Sequence, residues 1–223
     1  MNRHAIMRGA VSSGDAAAAV LFSHDYESGV VGTGNGQGHV SAGYTGLPAG
    51  GDGVTMSFSG APSIVSGALI PPSSAAWTGT VDFATTPTPN IYAHARLLPQ
   101  TVEYHSQIRL YTSAAKVLTA CVRLRTLVYD EGASGVAELY TDNVLEAQTG
   151  QISGNANAAL EIEGTSVKGR WATGTTITDT LGAARTFHAG QIYTDQPGIG
   201  GASYHFDNVF FATQEPTPSW MIP

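Results

Sequence analysis

The chain has one cysteine, two lysines among its ten basic residues, and no long uninterrupted apolar stretch. Each shortage excludes something. A lone thiol, Cys121, forms no internal disulfide and no Cys-x-x-Cys metal site, so the fold must hold by packing. No run of 18 apolar residues exists, so no helical membrane span is expected, and no membrane insertion. Seventeen acidic residues against ten basic ones give a net charge of −7, which argues against a nucleic-acid partner. Charged residues are 12% of the chain, about half the usual share of roughly 25%. No basic residue falls between Gly9 and Ala95, whereas Arg96, Arg109, Lys116, Arg123 and Arg125 cluster in the middle. Interface cores are depleted in Lys and Glu, so this surface suits packing against neighbouring chains.

What is present points to β structure. Hydrophobic residues make up 42% of 223, enough for a core without staples, and 27 glycines sit mostly in short polar clusters that read as turns. Arg3 and Arg8 precede the apolar run Ala16–Phe22, but Asp15 interrupts this signal-peptide-like pattern, and the expectation is an uncleaved N-terminal arm over 1–19. Strands are expected from Val20–Tyr26 onward, with a glycine-rich stretch at Gly29–Gly53 that lacks the spacing of a phosphate-binding loop. Alternation of period two then dominates. Met56 and Phe58 oppose Thr55 and Ser57. Strands are expected around Ile64–Ile70 and over Trp77–Phe83, Ile91–Leu97, Tyr104–Tyr111 and Val117–Tyr129. A turn follows Val136–Thr141 at Asp142-Asn143, and Leu160–Glu163 and Val167–Trp171 read as a hairpin about Gly164-Thr165. The last strands fall near Gln191–Thr194 and Tyr204–Ala212, before an extended tail over 214–223 with three prolines. Some twelve to fourteen short strands and no long helix predict an all-β, two-sheet antiparallel sandwich over 20–213, flanked by extended N- and C-terminal arms.

Three C-terminal segments carry a family resemblance. Asn157–Trp171 (NAALEIEGTSVKGRW) resembles the strand pair with Leu-x-Ile/Val-x-Gly-Thr-x-Val in concanavalin A-like and laminin-G-like jelly rolls. Thr178–Thr194 is similar to the segment in which Thr-Asp precedes a glycine and a strand, and Tyr204–Phe211 (YHFDNVFF) resembles the closing strand. Such domains occur in bacteriophage virions. The resemblance therefore implies a non-catalytic virion structural protein, a minor tail or tail-tip component that packs on other virion proteins and on copies of itself. A capsid decoration protein, a free carbohydrate-binding module and a glycan hydrolase are the alternatives.

Chemistry narrows these. Hydrolases of this fold place two carboxylates on one strand face, about 5 Å apart for retention. Here the nearest pattern is Glu161-Ile162-Glu163, with neither a middle Asp nor a third carboxylate, and a solvent-facing strand edge explains it as well. No Gly-x-Ser-x-Gly elbow occurs, and the seven histidines are dispersed. No cofactor is required by the sequence. Calcium is the one with a candidate site, since sandwich lectins hold it in loops and Asp207 with Asp25 or Glu27 is the candidate set. An Asp207 that caps a turn or hydrogen-bonds backbone is the simpler reading. The most informative constellation is polar. If the middle strands are neighbours, Tyr92, His94, Arg96, His105, Gln107, Arg109, Tyr111, Arg123 and Arg125 line one surface. Aromatics stack on sugar rings and Arg and Gln bond hydroxyls, so the surface is a platform for cell-surface glycan, a subunit contact, or a solvated sheet face. Two of Trp77, Trp171 and Trp220 aligned on an exposed face would favour sugar binding.

Overall fold

A computed structural model describes residues 20–24, 26, 38–40, 54–65, 68–72, 76–83, 88–99, 105–130, 134–153, 156–171, 175–195 and 204–213. Both arms expected at the termini, and most of the glycine-rich stretch, lie outside these residues. Among the described residues the chain forms β1 (Val20–His24), β2 (Gly38–Val40), β3 (Thr55–Phe58), β4 (Ser63–Val65), β5 (Ala68–Ile70) and β6 (Trp77–Asp82). Then come β7 (Ile91–Pro99), β8 (His105–Tyr111), β9 (Cys121–Asp130), β10 (Ser134–Thr141), β11 (Val144–Gln148) and β12 (Ile152–Ser153). The last five are β13 (Ala156–Glu163), β14 (Ser166–Trp171), β15 (Thr175–Thr180), β16 (Ala189–Thr194) and β17 (Tyr204–Ala212). A single 3-10 turn, Leu118–Ala120, replaces the start of the strand expected at Val117.

The strands build two antiparallel sheets. Sheet A runs β15-β14-β13-β7-β17-β5-β4, with β1 also on β17; sheet B runs β11-β10-β9-β8-β16-β6-β3-β2, with β12 on β10. This is the jelly-roll sandwich the alternation predicts. β3 alternates exposed and buried residues, with Met56 and Phe58 inward, β14 alternates likewise, and edge strand β15 alternates half-buried with exposed ones. Ile64–Ile70 is a correction: it is two short strands, β4 and β5, paired as a hairpin within sheet A. Missed altogether were β11, β12 and β15: β12 has only two residues, and the exposed or threonine-rich faces of the other two offer little apolar signal.

The core is aromatic along its length. Phe58 and Trp77 stack at 5.4 Å, Trp77 meets Phe206 at 5.8 Å, and Phe83 meets Phe211 at 5.7 Å. Burying each such side chain contributes about 1.5–3 kcal/mol. Sheet approach is set at one point by a glycine. A Cβ on Gly190 of β16 would lie 2.3 Å from the Phe211 ring on the facing sheet, so the ring occupies the space a side chain would need. Both turns anticipated from sequence form. In the β10–β11 hairpin Asp142 and Asn143 have φ of 50° and 70°, the pair of positive values that Asn and Asp tolerate in a two-residue turn. In the β13–β14 hairpin Glu163 pairs Ser166 across Gly164-Thr165, and Gly164 has φ of 58°.

Candidate functional site

The nine residues expected on one surface are divided between two. β7 belongs to sheet A, between β13 and β17, while β8 and β9 are neighbours in sheet B. Tyr92, His94 and Arg96 therefore point away from the sandwich on the side opposite His105, Gln107, Arg109, Tyr111, Arg123 and Arg125. The physical reason is that alternation fixes which side of its own sheet a residue takes, whereas strands consecutive in sequence pair only about two-thirds of the time. Here the chain changes sheets between β7 and β8.

On sheet A the β7 row serves the closing strand. β17 carries a bulge between Asp207 and Phe210, with Asn208 at φ of 47°. His94 Nδ1 lies 2.9 Å from the Asn208 carbonyl, and Arg96 donates to Asp207 Oδ2 at 3.2 Å. Asp207 Oδ1 accepts from the Asn208 backbone N–H at 2.7 Å. Thus Asp207, the candidate calcium ligand, takes the simpler role of a hydrogen bond to backbone, here at the bulge. Asp25 and Glu27 lie outside the described residues, among which no group of three His, Cys, Asp or Glu is placed to hold a metal. Tyr92 and Phe210 pack edge to face and are fully buried. The Glu161 carboxylate takes both Lys168 and Arg170 at 2.9 Å, the ordinary behaviour of an amphipathic strand.

On sheet B the outward side chains form a continuous polar network. Its centre is Arg109 of β8. Arg109 Nε donates to Gln107 Oε1 at 2.8 Å and Nη1 to Gln191 Oε1 at 3.0 Å, while its guanidinium lies 3.5 Å over the Tyr193 ring. Tyr111 donates to the same Gln191 oxygen at 3.0 Å, and Gln191 Nε2 donates to Thr80 at 2.8 Å. Directly across the ladder from Arg109 is Arg123 of β9. Arg123 Nη2 donates to Asn143 Oδ1 at 2.9 Å, and the guanidinium lies 4.4 Å over Tyr140. Burial, then the nearby Arg109 charge, pulls the Arg123 pKa below its ordinary value. One register further, Arg125 donates to Glu138 at 3.1 Å and Tyr140 at 3.2 Å, and Arg125 Nη2 meets His105 Nε2. His105 Nε2 thus accepts, and its Nδ1 N–H donates to Asp195. Burial raises the Asp195 pKa, but the hydrogen bonds from His105 outweigh it and leave the carboxyl below its usual range.

The opposite end of this face is dry. Tyr111, Cys121 and Ala189 cluster with Leu118 over them. Burial pushes the Cys121 thiol up to about 12 and raises Tyr111 as well. The network also includes residues the sequence did not single out: Gln191 and Tyr193 on β16, Glu138 and Tyr140 on β10, Asn143, Asp195 and Thr80. Their alternation was visible in Gln191–Thr194 and Val136–Thr141, but not that β16, some 80 positions along the chain, inserts beside β8. Trp77 and Trp171 are buried between the sheets, and Trp220 lies outside the described residues, so no tryptophan platform forms among them.

No protein-family model matches this sequence, and a search of curated proteins gave no match. Solved structures do resemble it. Endo-1,3-beta-glucanase from Streptomyces sioyaensis superposes with a TM-score of 0.53 at 13% identity, covering 93% of this chain and 100% of that one. Bacillus licheniformis beta-glucanase gives 0.47 at 12% identity, covering 89% and 97%. A sialidase gives 0.48 at 13% identity over 70% of this chain, which spans only 16% of that protein's length. At these identities the likeness is one of fold: the Streptomyces structure, aligned over its whole length, shares the two-sheet jelly-roll sandwich.

Proposed function

We propose that the outer face of sheet B is a carbohydrate-binding surface, and that the chain binds glycan without cleaving it. One observation carries this reading: Arg109 is held rigid by Gln107, Gln191 and Tyr111 and stacked on Tyr193, so donors and a ring are fixed in place before any ligand arrives. Preorganisation of this kind lowers the ordering cost of binding. Tyr193, Tyr140, Arg125 and His105 are half-buried and form the accessible parts of the network. Against catalysis stands the state of the two acids it contains: Glu138 is engaged by Arg125 and Asp195 by His105.

The setting we propose is a bacteriophage virion, in a minor tail or tail-tip component packed against other virion proteins and its own copies. A capsid decoration protein is the alternative. The charge-poor composition and the three C-terminal segments support it. Mass spectrometry of purified tails against purified capsids tests the location.

The binding test is affinity electrophoresis through immobilised polysaccharides. The Streptomyces relative in fold is named for 1,3-β-glucan, which makes that polymer a suitable first neutral probe. Retardation that Tyr193→Ala abolishes is the expected result. Unretarded migration through every glycan, or release of new reducing ends, overturns the reading.

A further inference from the structure

The network on sheet B has a charge imbalance that its hydrogen bonds do not cancel. Arg109 and Arg123 are directly opposed across the β8–β9 ladder, where side chains lie about 4.5–5.5 Å apart at Cβ and like charges destabilise. Each is only 8% exposed. Every partner of Arg109 is neutral: Gln107, Gln191, Tyr111 and the Tyr193 ring. The partners of Arg123 are neutral too, Asn143 and the Tyr140 ring, and its buried Nε has no hydrogen-bond partner. The neighbouring Arg125 behaves otherwise, taking Glu138 as its counter-charge. Among the described residues no carboxylate pairs with Arg109 or Arg123. Two nearly buried guanidinium groups side by side, one with an unused donor, are costly in a protein whose net charge is −7. A planar guanidinium fork matches an oxyanion, and an anion seated there would satisfy the spare donor and relieve the repulsion.

We propose that Arg109 and Arg123 form a receptor for an oxyanion carried on a sugar, either a uronate carboxylate or a sulfate ester. This rests on the glycan-binding reading and narrows its ligand to acidic polysaccharide. Each guanidinium stacks against a half-buried tyrosine ring, Arg109 on Tyr193 and Arg123 on Tyr140, and these rings offer contacts for the sugar itself.

The test is calorimetric titration of the whole chain with four probes: galacturonate oligomers, sulfated dextran fragments, unsulfated dextran fragments, and inorganic sulfate. Sulfated and unsulfated dextran differ in charge alone, and the galacturonate arm separates carboxylate from sulfate recognition. The expected result is measurable affinity for at least one acidic glycan, tenfold or more above unsulfated dextran. Arg123→Gln weakens it at least tenfold, and Arg123→Lys, which keeps charge but loses the fork, weakens it less. Arg96→Gln, an equal charge loss on the opposite sheet, leaves it unchanged. Thermal unfolding of each variant identifies any loss that is a folding defect, in which case the Lys variant decides. Equal affinity for neutral and acidic glycans overturns the receptor and leaves glycan binding standing. Sulfate binding that depends on Arg123 without binding of any glycan overturns the glycan reading and, with it, the sugar-borne ligand. Acidic-glycan affinity indifferent to Arg123 overturns the receptor.

Discussion

The two outward faces of this sandwich arise from the same sequence pattern and end in opposite states. Each presents a row of Tyr, His and Arg side chains on a central strand, β7 on sheet A and β8 on sheet B. On sheet A every described lysine and arginine meets an acid: Arg96 with Asp207, and Lys168 and Arg170 with Glu161. Its aromatics, Tyr92 and Phe210, are fully buried. On sheet B the rings stack against guanidinium groups, and among the described residues the central pair of arginines meets no acid. Polar residues on a strand's outer side therefore carry no functional meaning in themselves. What separates a structural row from a binding row is whether its hydrogen-bonding and charge capacity is used up within the fold.

Equivalent substitutions on the two faces test that distinction. Phe210→Ala on sheet A is expected to cost about 3–5 kcal/mol of stability, the usual loss for a fully buried Phe. Tyr193→Ala on sheet B is expected to cost under about 1 kcal/mol, the worth of a partly exposed cation–π contact, while abolishing glycan retardation. Urea denaturation of both variants measures the contrast, and equal losses would erase it. Next in size is Asp207→Ala. It leaves Arg96 and the Asn208 N–H of the bulge without their acceptor, at about 1–3 kcal/mol, with glycan affinity unaltered. A drop in affinity in that variant would mean that the two faces are coupled through the core.

Much of the fold was legible in the sequence. The inward register of Met56 and Phe58, the Asp142-Asn143 turn and the Gly164-Thr165 hairpin follow from period-two patterning and turn chemistry, both local properties. Adjacency is not local. Nothing in Ile91–Leu97 says that its partners are β13 and β17 rather than β8, so the row Tyr92, His94 and Arg96 was joined to the wrong neighbours. The six sheet B residues anticipated for the site, His105, Gln107, Arg109, Tyr111, Arg123 and Arg125, do share a face, because β8 and β9 are a sequential pair. Gln191, Tyr193 and Asp195 escaped for the reason that β7 was misplaced: their position depends on a long-range insertion. Strands with weak inner faces, such as β11 with Val144 and Leu145 exposed, give no periodic signal.

The two ends of the sheet B face sharpen the comparison by titration. At the dry end burial holds the Cys121 thiol at about 12, above its ordinary value of 9.0. A raised folded value contributes stability that is complete below the unfolded pKa and is lost as pH rises toward the folded one. Stability is therefore expected to fall between about pH 9 and 12, by at most about 1.4 kcal/mol per pH unit from this group. Cys121→Ala should flatten that slope in alkaline denaturation series, and an unchanged slope would assign it to Tyr111, which burial shifts the same way.

At the other end the sign reverses and the effect is smallest. Burial pushes the Asp195 pKa up, but His105 outweighs it and holds the carboxyl below its ordinary value of 3.8. A depressed folded pKa gives stability that is present above the unfolded value and is lost as pH falls through the folded one. The carboxyl is partly open to solvent, so screening keeps the contribution small. Asp195→Asn should reduce the acid-induced loss of stability below about pH 4 and leave the region from pH 5 to 8 nearly untouched, as followed by thermal unfolding across a pH series. Asp142 titrates in the same direction through its hydrogen bond from Arg185, so the slope should diminish in the variant rather than vanish. Complete loss of the acid slope in Asp195→Asn would place the whole effect at the His105 end. It would also make that end, rather than the Arg109–Arg123 centre, the electrostatic focus of the face.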